Sequence, residues 1–329
     1  MINQLRLYQG DSFDPHYNLA VEQHLMETVP DGCCILYLWQ NAHTVVIGRN
    51  QNAWKECRTQ LLEEEGGHLA RRLSGGGAVY HDLGNLNFTF LLPSAEYDVD
   101  RQLSVIVEAC HSLGISAEKS GRNDVLSEGR KFSGNAFFKH NGRAYHHGTL
   151  MVDVDKEKLG RYLSPSKAKL IAKGVDSVRS RVVNLRELRT DLTIPMLKEA
   201  LTDAFSKVYG LPVEEIGREE LDHSTVESIC QRNRSWEWNY GIKLPFSFSC
   251  EERFSWGSVQ LAMQVESGVI KQTKAYSDSM DWSISSRLEE ALTGCQFTLA
   301  EMEKALRRQL EGEEPVCQDL CRMLADQDI

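Results

Sequence analysis

The sequence predicts a protein of mixed strands and helices, with one large domain and a small C-terminal one. Three observations lead there. The chain has 329 residues, more than a typical domain of roughly 100–200. Short β-rich runs alternate with helical spacings as far as Tyr240. Beyond Trp236-Glu237-Trp238-Asn239-Tyr240-Gly241 the texture changes to alternating runs followed by helical signals.

The elements follow in order. Ile35–Gln40 and Thr44–Gly48 are β-rich runs separated by Asn-Ala-His and read as a hairpin. Trp54, Cys57 and Leu61 recur at helical spacing, and Gly66-Gly67 stops that helix. Leu86, Phe88, Phe90 and Leu92 alternate with polar residues, as in a half-buried strand. Leu103, Ile106, Val107, Cys110 and Leu113 form one face of a helix ending at Gly114. Lys131–Phe138 and Arg143–Val154 read as strands joined by an Asn141-Gly142 turn. Pro165 opens a short helix behind Ser164, and a longer one runs from about Pro195 to Tyr209 and closes with Gly210. Val259, Leu261, Met263 and Val265 alternate, Glu266-Ser267-Gly268 turns, and Val269 begins a second strand. Thr298-Leu299-Ala300-Glu301 is a capping box before a helix.

Composition narrows the class. Hydrophobic residues are 41% and charged residues 26%, which excludes a disordered or collagen-like chain. No apolar run is long enough to span a membrane, and the first residues resemble neither a secretory signal nor a transit peptide. The nine cysteines are scattered without metal-ligand spacing and read as reduced thiols of a cytoplasmic protein. A net charge of −10 argues against a general nucleic-acid binder. Residues 121–190 nevertheless hold 15 basic and 7 acidic side chains, pointing to an anionic ligand, an acidic partner or simply a solvated basic face.

Three motifs carry chemistry. In Arg71-Arg72-Leu73-Ser74-Gly75-Gly76-Gly77-Ala78-Val79-Tyr80-His81-Asp82, strands flank three glycines. Such a loop brings backbone N–H groups close to a phosphate, and the arginines add charge-assisted contacts. The glycines alone would also suit a flexible turn. The run is neither a P-loop nor a Rossmann turn. In Gly129-Arg130-Lys131-Phe132-Ser133-Gly134-Asn135-Ala136, Lys131 is either an inward point charge for a carboxylate or phosphate or a solvated strand-end lysine. Asp124 is either a Mg²⁺ ligand shared with substrate phosphates or a turn residue. His146 and His147 point to opposite faces of a strand, so one can face a pocket and the other the surface, or both are packed.

Arg71–Asn85, Gly121–Ala136 and His146–Leu150, together with Lys173–Val182 and Trp236–Asn239, resemble the lipoate–protein ligase A family of the biotin/lipoate ligase superfamily over essentially the whole chain. The resemblance implies an α+β fold: a large catalytic domain on a mixed β-sheet flanked by helices, residues 1–245, and a small α+β accessory domain, 246–329. It implies that lipoate and MgATP give lipoyl-AMP and pyrophosphate. The lipoyl group then passes to a lysine on a lipoyl domain of a 2-oxoacid dehydrogenase E2 subunit or on glycine-cleavage H protein. By this pattern Arg72, Gly77, Ala78, Val79, Tyr80 and Lys131 bind ATP. Arg72, Ser74, Lys131, Ala136 and His147 bind lipoate in a mainly apolar pocket, with Lys131 catalytic and Asp124 the Mg²⁺ candidate. Relatives suggest a monomer. Competing readings are an octanoyl or lipoyl transferase using a preactivated donor and a non-catalytic lipoyl-domain-binding protein.

Overall fold

The computed structural model describes residues 1–121, 124–163, 182–241 and 248–327. The chain divides into two compact units. The first holds Met1–Val46, Trp54–Arg72 and Ala78–Asn239, and the second Ile47–Ala53, Leu73–Gly77 and Tyr240–Ile329. The boundary expected between residues 245 and 246 lies outside the described residues. The fold is α+β: a large mixed sheet with helices, and a smaller C-terminal unit.

The strands of the first part of the chain are β1 Gln4–Gln9, β2 Cys33–Trp39, β3 Thr44–Ile47, β4 His68–Arg71, β5 Val79–His81, β6 Asn85–Pro93, β7 Glu118–Ser120, β8 Asp124–Ser127, β9 Arg130–His140, β10 Arg143–Met151 and β11 Val213–Glu215. Eight form one sheet in the order β11-β1-β2-β6-β10-β9-β8-β7. β1 runs parallel to β2 and β11, and the remaining pairs are antiparallel. Asn141 and Gly142 both take positive φ, 47° and 73°, so the expected tight turn joins β9 to β10.

Leu86, Phe88, Phe90 and Leu92 of β6 face a core built with Leu103 and Ile106 of the helix Val99–Ser112 and Leu197 and Phe205 of the helix Ile194–Tyr209. Both helices stop as the sequence indicates: Gly114 and Gly210 adopt left-handed φ of 73° and 70°. The opposite face of the sheet is covered by helix α1, Pro15–Thr28, which packs against β2, β6 and β10. Asp14 caps α1, accepting from the amides of His16 and Tyr17.

Three expectations need correction. The runs at 35–40 and 44–48 do not form a hairpin. β2 is buried along its whole length and both its edges are taken, by β1 and β6. β3 therefore joins a separate three-stranded sheet, β4-β3-β5, and the chain departs at His43 with φ of 35°. β6 is not half-buried: Asn85, Asn87 and Thr89 are as buried as the apolar residues between them. The helix at Trp54 is two short pieces, Ala53–Glu56 and Thr59–Glu64, interrupted where Cys57 bridges to Leu163.

In the second unit β12 Phe248–Phe254, β13 Gly257–Glu266 and β14 Val269–Ser277 form an antiparallel sheet. Ser267 and Gly268 turn between the last two with φ of 51° and 74°. The helices Ile284–Leu292, Leu299–Gln309 and Glu314–Ala325 bury Leu288, Met302 and Leu320 against this sheet. Thr298 precedes its helix in extended conformation but makes no side-chain cap bond. The helix expected at Pro165 falls outside the described residues. Among the described residues no helix is long and apolar enough to cross a membrane.

Gly148 leaves room that the core uses. A Cβ there would lie 2.5 Å from Asn135 Oδ1 and 2.6 Å from the Phe88 ring. Gly148→Ala should therefore destabilise the first unit by about 1–3 kcal/mol. Urea unfolding measures it, and a loss below about 0.5 kcal/mol would mean that the site is not packed this tightly.

Candidate active site

Strand alternation sorts β9, β10, β6 and β2 into two faces. On the α1 face, cross-strand register sets Ala136 beside His147, His147 beside Thr89, and Thr89 beside Tyr37. One row along, Thr149 lies beside Asn87, and Asn87 beside Trp39. The other face carries His146, whose ring nitrogens meet Gln102 Oε1 at 3.0 Å and Asn135 Oδ1 at 2.8 Å. The two histidines do point opposite ways, but neither reaches the surface: His146 is fully buried and His147 nearly so.

α1 brings a residue that the sequence reading missed. Glu22 is buried and its Oε1 faces His147 Nδ1 at 2.8 Å. Thr89 Oγ1 donates to the same oxygen at 2.7 Å, and Trp39 Nε1 donates to Thr89 Oγ1 at 3.0 Å. A carboxylate only accepts, which assigns the Nδ1 proton of His147. Its signal was an acid four residues after Asn18, and so on the same face of α1 as that buried amide. The α1 side of the sheet thus carries Glu22, Thr89, Asn87 and His147 close together.

The two adjacent arginines divide their work. Arg71 holds backbone: its guanidinium donates to the Trp238 carbonyl at 2.8 Å and to that of Asn239, and Trp238 Nε1 returns a bond to the Arg71 carbonyl at 2.9 Å. That exchange explains why Trp236–Asn239 belongs with the glycine motif. Arg72 is buried, and Nη1 donates to the Val46 carbonyl at 3.2 Å. Burial pulls its pKa down to about 10, while Tyr145 and Glu22 hold it up. It stays charged at neutral pH, and Glu22 is near enough to act on that charge.

Lys131 forms an ion pair with Asp124 at 2.6 Å. Gly134 makes its position possible, because a Cβ there would sit 2.9 Å from Lys131 Nζ. The Lys131 carbonyl accepts from Val183 N at 2.9 Å, which anchors the strand. Among the described residues no group of three His, Cys, Asp or Glu side chains could hold a metal ion. One carboxylate, Asp124, fits a Mg²⁺ that arrives on nucleotide phosphates rather than one held in a protein cage.

The glycine run joins β4 to β5, the two outer strands on β3. Ala78, Val79 and Tyr80 belong to the first unit, Ser74 and Gly77 to the second. Within the second unit the run makes the close backbone approach its glycines allow. Gly76 has φ of 88° and donates to the Ser279 carbonyl at 3.0 Å, and a Cβ on Gly75 would meet that oxygen at 2.3 Å. Ser74 is fully buried, and its carbonyl accepts from Arg49 N at 2.9 Å. Tyr80 packs between His43 and Tyr162.

The basic segment 121–190 is largely neutralised where it is described. Arg130 and Lys156 pair with Glu187, Arg143 with Asp31, Arg161 with Glu65 and Arg186 with Asp153. Arg122, Lys167, Lys169 and the 173–181 stretch lie outside the described residues. All nine cysteines are free and eight are buried. Burial raises the thiols of Cys57 and Cys110 to about 12 and those of Cys33 and Cys230 to about 11.

Comparison with known proteins fits this architecture. The family model of the lipoyl protein ligase A/B catalytic domain matches residues 14–206, and that of the bacterial lipoate protein ligase C-terminus matches residues 243–314. The chain belongs to the lipoate–protein ligase family. Among solved structures it is similar to P. falciparum LipL1 in complex with lipoate: 27% identity and a TM-score of 0.86, over 98% of this chain and 100% of that one. It is also similar to a bipartite lipoate protein ligase of Thermoplasma acidophilum, described with its E2 lipoyl domain. That match has 27% identity and a TM-score of 0.62, over 75% of this chain and 100% of that one. A lipoate-protein ligase A bound with ATP matches at 26% identity and a TM-score of 0.61, over 74% and 100%.

His146 makes the buried polar layer pH-sensitive. Burial, with the neighbouring His147, lowers its pKa from 6.5 to about 3. The unfolded imidazole takes up a proton below about pH 6.5, whereas the folded one stays neutral down to about 3. Stability is full above 6.5 and falls as pH drops towards 3. Between pH 7.5 and 5 the wild type should lose about 2 kcal/mol more unfolding free energy than His146→Gln. Parallel slopes in urea titrations at the two pH values would contradict this.

Proposed function

We propose that this chain is an ATP-dependent lipoate–protein ligase that acts in two steps. A carboxylate oxygen of lipoate attacks the α-phosphorus of ATP and pyrophosphate leaves, giving lipoyl-AMP. A lysine amine of the acceptor then attacks the acyl carbon, AMP leaves, the amine sheds a proton and an amide remains. The acceptors are lipoyl domains of 2-oxoacid dehydrogenase E2 subunits and glycine-cleavage H protein. The T. acidophilum ligase described with its E2 lipoyl domain supports this choice.

One observation carries the reading: buried Arg72, which feels the charge of Glu22, and Lys131 at the start of β9 share one compact unit with the adjacent pair Ala136 and His147. In the first step two anions approach each other, so fixed cations and N–H dipoles must stabilise the crowded charge. Lys131 would exchange Asp124 for the lipoate carboxylate and the α-phosphate, and so is the catalytic residue. Arg72 would hold the carboxylate from the other side. The backbone of Gly77, Ala78, Val79 and Tyr80 would receive the nucleotide, and Ser74, Ala136 and His147 would line the acyl chain. Mg²⁺, with Asp124 as its protein ligand, would offset charge on the phosphates. We assign residues 1–245 to the catalytic domain and 246–329 to an accessory domain. The enzyme is read as a cytoplasmic monomer that binds neither nucleic acid nor membrane.

The thiols weigh against a cysteine-dependent acyl transferase. A nucleophilic cysteine needs a lowered pKa, and the buried thiols of the first unit are shifted the other way. A non-catalytic binding protein would have no use for a buried Arg72 and a glycine that clears space for Lys131.

Lipoate-dependent exchange of pyrophosphate into ATP tests the proposal, since neither competing reading supports it. Lys131→Ala should lower exchange about 10²–10³-fold, and Lys131→Arg should restore only part of it. Exchange by Lys131→Ala at the wild-type rate would remove Lys131 from the mechanism. A wild type without exchange would remove the ligase reading.

A further inference from the structure

Beside Trp39, Asn87 of β6 and His81 of β5 each carry a buried nitrogen without a hydrogen-bond partner among the described residues. Asn87 is 2% exposed. Its Oδ1 accepts from Asn85 Nδ2 at 2.9 Å, which fixes the amide orientation, and its Nδ2 has no partner. The second donor is on His81, 3% exposed, whose ring lies edge-on to Trp39 with centroids 6.4 Å apart.

A relay of hydrogen bonds fixes the tautomer of His81. Asn18 Nδ2 donates to the backbone carbonyls of Ser12 and Gln40 and to Asn41 Oδ1. Asn41 Nδ2 must then be the group facing His81 Nδ1 at 3.2 Å, so Nδ1 accepts and the proton sits on Nε2. That Nε2 is buried without a partner. Burial, followed by Arg72 and His147, lowers the ring pKa to about 3, so the donor is neutral at physiological pH.

Resting on the reading that this chain binds a carboxylic acid over Ala136 and His147, we propose that Asn87 and His81 read hydrogen-bond acceptors along the acyl tail and so set substrate specificity. The substrate class is a medium-chain acid with acceptor atoms partway along its chain, as lipoate has sulfur, in preference to a plain alkanoate. The division of labour follows from charge. Arg72 and Lys131 are cations and suit the carboxylate, whereas neutral N–H groups suit a neutral acceptor. A methylene chain over an unpaired buried N–H leaves it unsatisfied, and that is the kind of mismatch by which a site rejects an analogue.

The experiment measures acid-dependent pyrophosphate release with lipoate, octanoate and 6-oxooctanoate, which carries a carbonyl where lipoate bears sulfur. For the wild type, kcat/KM should be about three- to tenfold higher for lipoate and the oxo acid than for octanoate. Asn87→Leu and His81→Phe remove the donors and should each shrink that preference, raising KM for lipoate more than they lower kcat. Asn87→Ser, which keeps a donor, should recover part of it. Equal use of all three acids by the wild type would overturn the inference, as would an unchanged preference in both donor-free variants, while leaving the ligase reading intact. If neither variant folds, the wild-type acid series decides alone. A wild type inert toward all three acids would remove the ligase reading itself, and this inference with it.

Discussion

The arrangement depends on holding one carboxylate out of water. Glu22 is buried between α1 and the sheet, where an unpaired charge would be costly. It is tolerable because Thr89 and His147 both meet Oε1 and Arg72 is close enough to feel its charge. These contacts tie a helix near the N-terminus to β6 and β10 and to the strand that precedes the glycine run. Removing either side would leave a buried polar partner unsatisfied. The polar face of the sheet and the placement of α1 are therefore one structural fact.

The same face shows where sequence reasoning failed. Polar residues alternating with Leu86, Phe88, Phe90 and Leu92 read as a solvent face, because alternation reports only that two environments differ. Here the second environment is a buried polar layer facing α1. Glu22 was missed for a related reason: a helix that covers polar residues cannot be told by periodicity from one that covers apolar ones. The Asn141-Gly142 turn, the helix stops at Gly114 and Gly210 and the strands flanking the glycine run were legible, because each rests on local backbone conformation. The hairpin at 35–48 was misread because pairing is non-local: β2 had two other partners.

Of the residues that the family resemblance names, Ala136 and His147 lie adjacent across two strands, and Lys131 lies on the same strand as Ala136. The tandem arginines looked equivalent in sequence, yet Arg72 is buried within reach of the Glu22 charge, while Arg71 braces the Trp238 and Asn239 backbone. No local pattern distinguishes the two, since the distinction lies in a partner more than 160 residues away in the chain.

The Lys131–Asp124 pair has a consequence for the proposed site. The ammonium already holds a carboxylate, so an anion binding there would gain only the difference between two similar attractions. Both side chains are 36% exposed, and a pair so open to water is worth little, so the exchange would cost little as well. A ligand that met the lysine and also supplied a positive group to the released aspartate would turn one ion pair into two.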